Sequence, residues 1–251
     1  MNTRIKGDAR ERLIFALDVG GRYEEALSLV RRLKDHVGMF KVGKEAFTLY
    51  GPRIVEAIHA EGGEVFLDLK FHDIPNTVAG ASESAVKLGI RMFNLHASGG
   101  TKMIKEAVSA VRKLSGETAR PLPLVLAVTI LTSLNDHDLE TLGFRQGTAG
   151  MMVLLAGLAA KAGVDGVVCS PQDISSVRQS CGRDFIIVTP GVRGVTPVAG
   201  DDQKRTLSPQ EAVKLGADFI VVGRPIRMAP EPAREADAIV GAIAAGLAMR
   251  G

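Results

Sequence analysis

Eight short apolar runs recur along this 251-residue chain, at 13–18, 39–42, 64–68, 92–95, 124–129, 166–169, 185–189 and 219–223. No other feature constrains the fold as tightly. Most of the runs are continuously apolar rather than alternating, the pattern of parallel strands covered on both faces. Helical patterns fill the intervals, at 23–36, 45–61, 75–88, 99–114, 149–162, 171–181, 209–215 and 232–249. In the first of these Leu27, Val30 and Leu33 recur at three-residue steps. In the third, Pro75 stands near the start, where a missing N–H costs least. Gly89, Gly116, Gly163 and Gly216 follow helical patterns, as C-terminal caps should. Eight strand–helix units in a chain of this length predict an α/β fold, a single (β/α)₈ TIM barrel domain over residues 1–251. The rival is a doubly wound sheet, which often carries a Gly-rich turn after its first strand. Here the first run ends Asp18-Val-Gly-Gly, which is not Gly-x-Gly-x-x-Gly. No linker, low-complexity tract or second domain interrupts the pattern.

Composition removes several functional classes. The chain is 46% hydrophobic, enough for a substantial core. No apolar run approaches the ~20 residues of a membrane span. The N-terminus, Met-Asn-Thr-Arg-Ile-Lys-Gly-Asp-Ala-Arg, is too charged for a secretory leader, so a cytoplasmic location is expected. Net charge is +3, from 31 basic and 28 acidic residues. That excess is too small to argue for nucleic acid, and no basic block is interleaved with aromatics. Cys169 and Cys181 lack Cys-x-x-Cys spacing and read as a buried strand residue and a helix-end residue. No His or Cys cluster has metal-ligand spacing, so no metal is expected.

The chemistry gathers where the runs end, the face on which barrel enzymes place their sites. The segment 65–77, Val-Phe-Leu-Asp-Leu-Lys-Phe-His-Asp-Ile-Pro-Asn-Thr, carries Asp68, Lys70 and Asp73. On a regular strand Asp68 and Lys70 share a face with Phe66, and Leu67 and Leu69 take the other. Opposite charges aimed inward are costly unless paired or used. Lys41 lies in the adjacent second run, so Lys41, Asp68, Lys70 and Asp73 form an alternating array at one point of the mouth. Asp18 ends the first run, His96, Ser98, Gly99 and Gly100 follow the fourth, and Thr129, Thr132 and Ser133 come at the end of the fifth. Gly191 with Arg193, and Gly223 with Arg224, follow the last two, where such barrels commonly bind phosphate. The loop 190–207, which contains Gln203, has the length of a lid. Blander readings stand beside these. Asp73 and Asp18 could each cap a helix, Lys70 could be a rim partner of Asp68, and Lys44 and Glu45 read as solvated helix-start charges. His96 reads as structural, His72 as pointing away, and His36, His59 and His137 as surface residues.

At these residues the chain closely resembles the orotidine 5′-phosphate decarboxylase family. The matching motifs run in order along nearly the whole chain. They are Phe-Ala-Leu-Asp18, Phe-Lys41-Val-Gly, Asp68-Leu-Lys70-Phe-His-Asp73-Ile-Pro-Asn-Thr77, Asn94-Leu-His-Ala-Ser-Gly-Gly100, Val128-Thr-Ile-Leu-Thr132-Ser, Thr189-Pro-Gly-Val-Arg193, Gly200-Asp-Asp-Gln203 and Val222-Gly-Arg224-Pro-Ile. The bare Asp-x-Lys-x-x-Asp pattern is moderately specific; extended through Phe-His-Asp-Ile-Pro-Asn-Thr it is highly specific. The resemblance implies a homodimeric lyase that converts orotidine 5′-monophosphate to UMP and CO₂, the last step of de novo pyrimidine synthesis, with no cofactor. It implies catalytic roles for Lys41, Asp68, Lys70 and Asp73, with Lys70 donating the proton to C6. Asp73 and Thr77 are implied to enter the neighbouring subunit's site. Asp18 and Lys41 are implied at the ribose, Thr132 or Ser133 at the base, and Arg193, Gln203, Gly223 and Arg224 at the phosphate. Two rivals are a Mg²⁺-dependent sugar-phosphate decarboxylase or aldolase on the same barrel, and a nucleotide-binding barrel without catalysis.

Overall fold

The computed structural model describes residues 8–192 and 207–250. Its strands are β1 (Leu13–Ala16), β2 (Met39–Gly43), β3 (Val65–Phe71), β4 (Met92–His96), β5 (Leu124–Val128), β6 (Gly166–Val168), β7 (Ile186–Pro190) and β8 (Phe219–Val222). They form a closed barrel in sequence order, with β8 returning parallel to β1. All eight expected strands are present, each within a few residues of its apolar run. The chain divides into two compact units, one spanning Lys70–Val188 and the other the two flanking stretches. The divisions fall inside β3, between Leu69 and Lys70, and inside β7, between Val188 and Thr189.

The flanking unit holds β1, β2, β8 and β3 as far as Leu69. Its helices before the division are α1 (Tyr23–Leu33), α2 (Lys44–Tyr50) and α3 (Arg53–Ala60). The single helix expected over 45–61 is broken there. Gly51 takes φ 60 at the end of α2, and Pro52, which has no N–H to continue the ladder, begins the next helix. Apolar spacing carries across such a break, so periodicity alone misses it. Inside the strands Phe15 and Phe40 meet edge to face with centroids 6.3 Å apart. Parallel pairing of β1 with β2 places them in register.

The central unit holds α4 (Pro75–Lys87), α5 (Gly100–Thr118), α6 (Asp136–Thr141), α7 (Thr148–Ala162) and α8 (Ile174–Cys181). Gly116 does not end a helix as expected. It lies within α5, which runs to a left-handed Ala119 with φ 53. Helix α6 was not anticipated. Asn135 caps it by accepting from the Asp138 N–H, while the Asp138 carboxylate accepts from the Asn135 N–H. Asp136 then ties α6 to α7, because its Oδ1 accepts both the N–H and the hydroxyl of Thr148 at 2.7 Å. The main-chain donor above all, and then the hydroxyl, hold the Asp136 carboxyl below the usual carboxylate range.

The last three helices are α9 (Pro209–Leu215), α10 (Arg224–Arg227) and α11 (Pro232–Ala248), back in the flanking unit. A Cβ added at Gly246 would lie 2.6 Å from the Gln210 carbonyl, so this glycine sets how closely α11 approaches α9. Near the start of β8, Asp218 receives Arg250 Nη1 on its carboxylate at 3.0 Å and Arg12 Nη1 on its carbonyl at 3.3 Å. Burial pulls the Arg12 guanidinium below its ordinary value, and Asp218 opposes that pull. His59 is not a plain surface residue: Nδ1 lies 3.0 Å from the Gly63 carbonyl and Nε2 is buried. Among the described residues no helix is long and apolar enough to cross a membrane.

Candidate active site

In the flanking unit, the charged residues meet at the C-terminal ends of β1, β2 and β3. Lys41 lies in β2 opposite Phe66, and Gly43 lies opposite Asp68. The lysine side chain reaches forward along the strand to two carboxylates. Its Nζ is 3.0 Å from Asp18 Oδ1 and 3.2 Å from Asp68 Oδ2. Lys41 and Asp68 side chains are each 12% exposed, whereas Asp18 is 53% exposed. The cation and the two anions therefore grade from the interior to solvent, and the buried pair is compensated as burial requires. Gly43 leaves room beside the cluster. A Cβ there would sit 3.0 Å from Asp18 Oδ1 and 3.1 Å from Lys41 Nζ.

Asp18 is not a helix cap, because α1 begins after Arg22 with no side-chain cap. Its own carbonyl accepts Arg227 Nη1 at 3.0 Å, which ties the β1 end to α10. Gly223 closes β8, with its missing Cβ 3.1 Å from Ala16 Cβ. Arg224 follows as the first, exposed residue of α10. Lys44 and Glu45 are exposed at the start of α2, as their charges suggest. Arg193 and Gln203, with most of the loop 190–207, lie outside the described residues.

In the central unit, Lys70 takes φ 54 within strand β3. A non-glycine residue in the left-handed region costs on the order of 1–3 kcal/mol and persists only where its surroundings over-determine it. The strict two-residue alternation expected for Asp68 and Lys70 therefore does not carry through Lys70. Its N–H donates to Asn94 Oδ1 at 2.8 Å, and Asn94 is completely buried in β4. The Phe71 ring lies 5.7 Å from that of Phe93, and the His72 ring 5.4 Å from that of His96. His72 is exposed, and its ring meets that of the neighbouring histidine at a tilt of 42°.

Asp73, Ile74 and Thr77 are exposed, Ile74 at 66%. The residue before α4 is Ile74, with no side-chain cap, and Asp73 Oδ1 accepts the adjacent Ile74 N–H at 2.6 Å. Thr132 and Ser133 are exposed in the turn after β5. Sequence reasoning assigned no role to Asn94. Its signal was present: an amide inside the apolar run 92–95. Thr129 and Thr189 are further buried polar residues at the strand ends, each with a hydroxyl lacking a hydrogen-bond partner. Among the described residues, no group of three or more His, Cys, Asp or Glu side chains is arranged to hold a metal ion.

Known proteins resemble this arrangement along its whole length. Residues 11–239 match the family described as Orotidine 5′-phosphate decarboxylase / HUMPS. Orotidine 5′-phosphate decarboxylase of Syntrophus aciditrophicus is 56% identical over 248 residues, covering 99% of both chains. That of Geotalea daltonii is 52% identical over 242 residues, covering 96% of this chain and 99% of its own. The crystal structure of orotidine 5′-phosphate decarboxylase from Lactobacillus acidophilus superposes with a TM-score of 0.81 at 35% identity, covering 92% of this chain and 98% of that one.

Proposed function

The chain belongs to the orotidine 5′-phosphate decarboxylase / HUMPS family, and from that premise we propose that it decarboxylates orotidine 5′-monophosphate to UMP and CO₂ without metal or organic cofactor. The observation that carries this reading is Lys41 held between Asp18 and Asp68 at 3.0 and 3.2 Å, with Lys70 two residues beyond Asp68. Loss of CO₂ leaves a carbanion-like centre at C6. Most decarboxylases spread such charge into a cofactor; a preorganised array of fixed charges is the alternative. In this reading the Lys70 ammonium sits where negative charge develops and then donates its proton to C6. Asp68 faces the substrate carboxylate, and its repulsion is relieved as CO₂ departs. Lys41 and Asp18 hold the ribose, and Thr132 or Ser133 the base. Gly223 and Arg224 bind the phosphate together with Arg193 and Gln203. Binding energy from that remote phosphate is a second source of barrier lowering.

We further read the chain as one barrel domain that works as a homodimer, with Asp73 and Thr77 serving the partner's site. The exposure of Asp73 and Thr77 fits this reading, because residues that serve a partner's site must be open to it. Incubating the purified protein with orotidine 5′-monophosphate and following ultraviolet absorbance tests the activity; absence of UMP sinks it. Turnover that disappears with EDTA and returns with Mg²⁺ would instead select the metal-dependent branch of the family. Gly43→Ala is expected to raise KM about tenfold, roughly 1.4 kcal/mol of binding, by wedging apart Lys41 and Asp18. Its φ of −86° suits any residue, so the melting temperature should hardly move. Unchanged KM in a well-folded variant would remove Gly43 from the account.

A further inference from the structure

Resting on the reading of Lys70 as proton donor, we infer that Asn94 is a positioning residue for that step: its side-chain carbonyl fixes the Lys70 backbone in the left-handed conformation. Asn94 lies at the centre of β4 with no exposed surface. A polar amide there is costly unless it is hydrogen-bonded. Its Oδ1 accepts the Lys70 N–H at 2.8 Å. The other left-handed non-glycine among the described residues, Ala119, terminates a helix, where that conformation is routine. Lys70 has no such local reason, because the chain continues as strand through Phe71. Its conformation must therefore be held from outside the segment.

Strand β4 supplies the hold in three successive contacts. Asn94 takes Lys70, Phe93 packs on Phe71, and the His96 ring meets that of His72. The ring contacts fix the path of residues 71–72. The directional N–H···O bond fixes the orientation of the peptide entering Lys70, and with it where the side chain starts. Leucine matches asparagine in size but accepts nothing, whereas aspartate keeps an acceptor oxygen at the same reach.

The test compares Asn94→Leu and Asn94→Asp with wild type and Lys70→Ala, measuring kcat, KM and UMP binding. Asn94→Leu is expected to lower kcat ten- to a hundredfold, the scale on which small misplacements act, while UMP binding stays within about threefold. Asn94→Asp is expected to recover most of kcat. Wild-type kcat in Asn94→Leu beside an inactive Lys70→Ala overturns the inference and leaves the Lys70 reading standing. Equal losses in the leucine and aspartate variants, or a matching loss of UMP binding, also overturn it. An active Lys70→Ala removes both. Hydrogen exchange of the wild-type Lys70 amide decides the matter if Asn94→Leu does not fold. Strong protection is expected, and free exchange overturns the inference.

Discussion

Lys70→Ala is expected to abolish turnover while leaving the affinity for UMP within about threefold. In the proposed mechanism the variant loses two contributions at once: proton donation, worth roughly 10²–10⁴-fold, and a fixed positive charge at the developing carbanion, worth roughly 10²–10³-fold. Together they predict a fall in kcat on the order of 10⁴-fold or more. Ground-state binding should survive, because the ribose and phosphate contacts proposed for Asp18, Lys41, Gly223 and Arg224 do not involve Lys70. Lys70 is only half-buried, so its truncation leaves no large cavity. Stopped-flow turnover and calorimetric titration with UMP separate the two effects. A loss of affinity as large as the loss of rate would make Lys70 a binding residue rather than a proton donor.

Mixing inactive Lys70→Ala chains with inactive Asp73→Ala chains is expected to restore activity. In the proposed shared-site dimer each heterodimer pairs an intact Lys70 from one subunit with an intact Asp73 from the other, and so regenerates one site of its two. Random exchange of equal amounts then yields about a quarter of wild-type activity, as expected for a two-fold symmetric dimer. The exposed run Asp73–Ile74 ahead of α4 motivates the experiment. Exchange must be shown independently, for example by mass spectrometry of differently tagged chains. Proven exchange without recovery would place Asp73 in its own subunit's site or make it structural.

The barrel was legible because each parallel strand is buried on both faces and so writes a continuous apolar run. Interruptions that leave apolar spacing intact were not legible. Gly51 and Pro52 split a helix whose apolar positions continue across the break, and Gly116, which reads as a C-terminal cap, lies inside α5. The short α6 is announced only by Asn135 and Asp138 three residues apart. At the site, Lys41 and Asp68 stood out as charges within apolar strands, and they do meet. The pairing of Asp68 was less legible, because Lys41 reaches it along β2 from a neighbouring strand. Gly43 carried no signal because the reason for it is an absent side chain. The left-handed turn of Lys70 was equally hidden, since a lysine does not encode positive φ; a buried amide 24 residues away does much to set it.

That conformation has a consequence for engineering. Asparagine tolerates φ near +54° far better than lysine does, but it cannot deliver a proton at C6. Lys70→Asn should therefore raise the melting temperature by about 2 °C, the shift that roughly 1 kcal/mol produces in a chain of this size, in a catalytically dead protein. A screen of this chain for thermostability alone would enrich that variant. Consensus or stability-guided redesign should hold position 70 fixed and seek its gains elsewhere in the barrel.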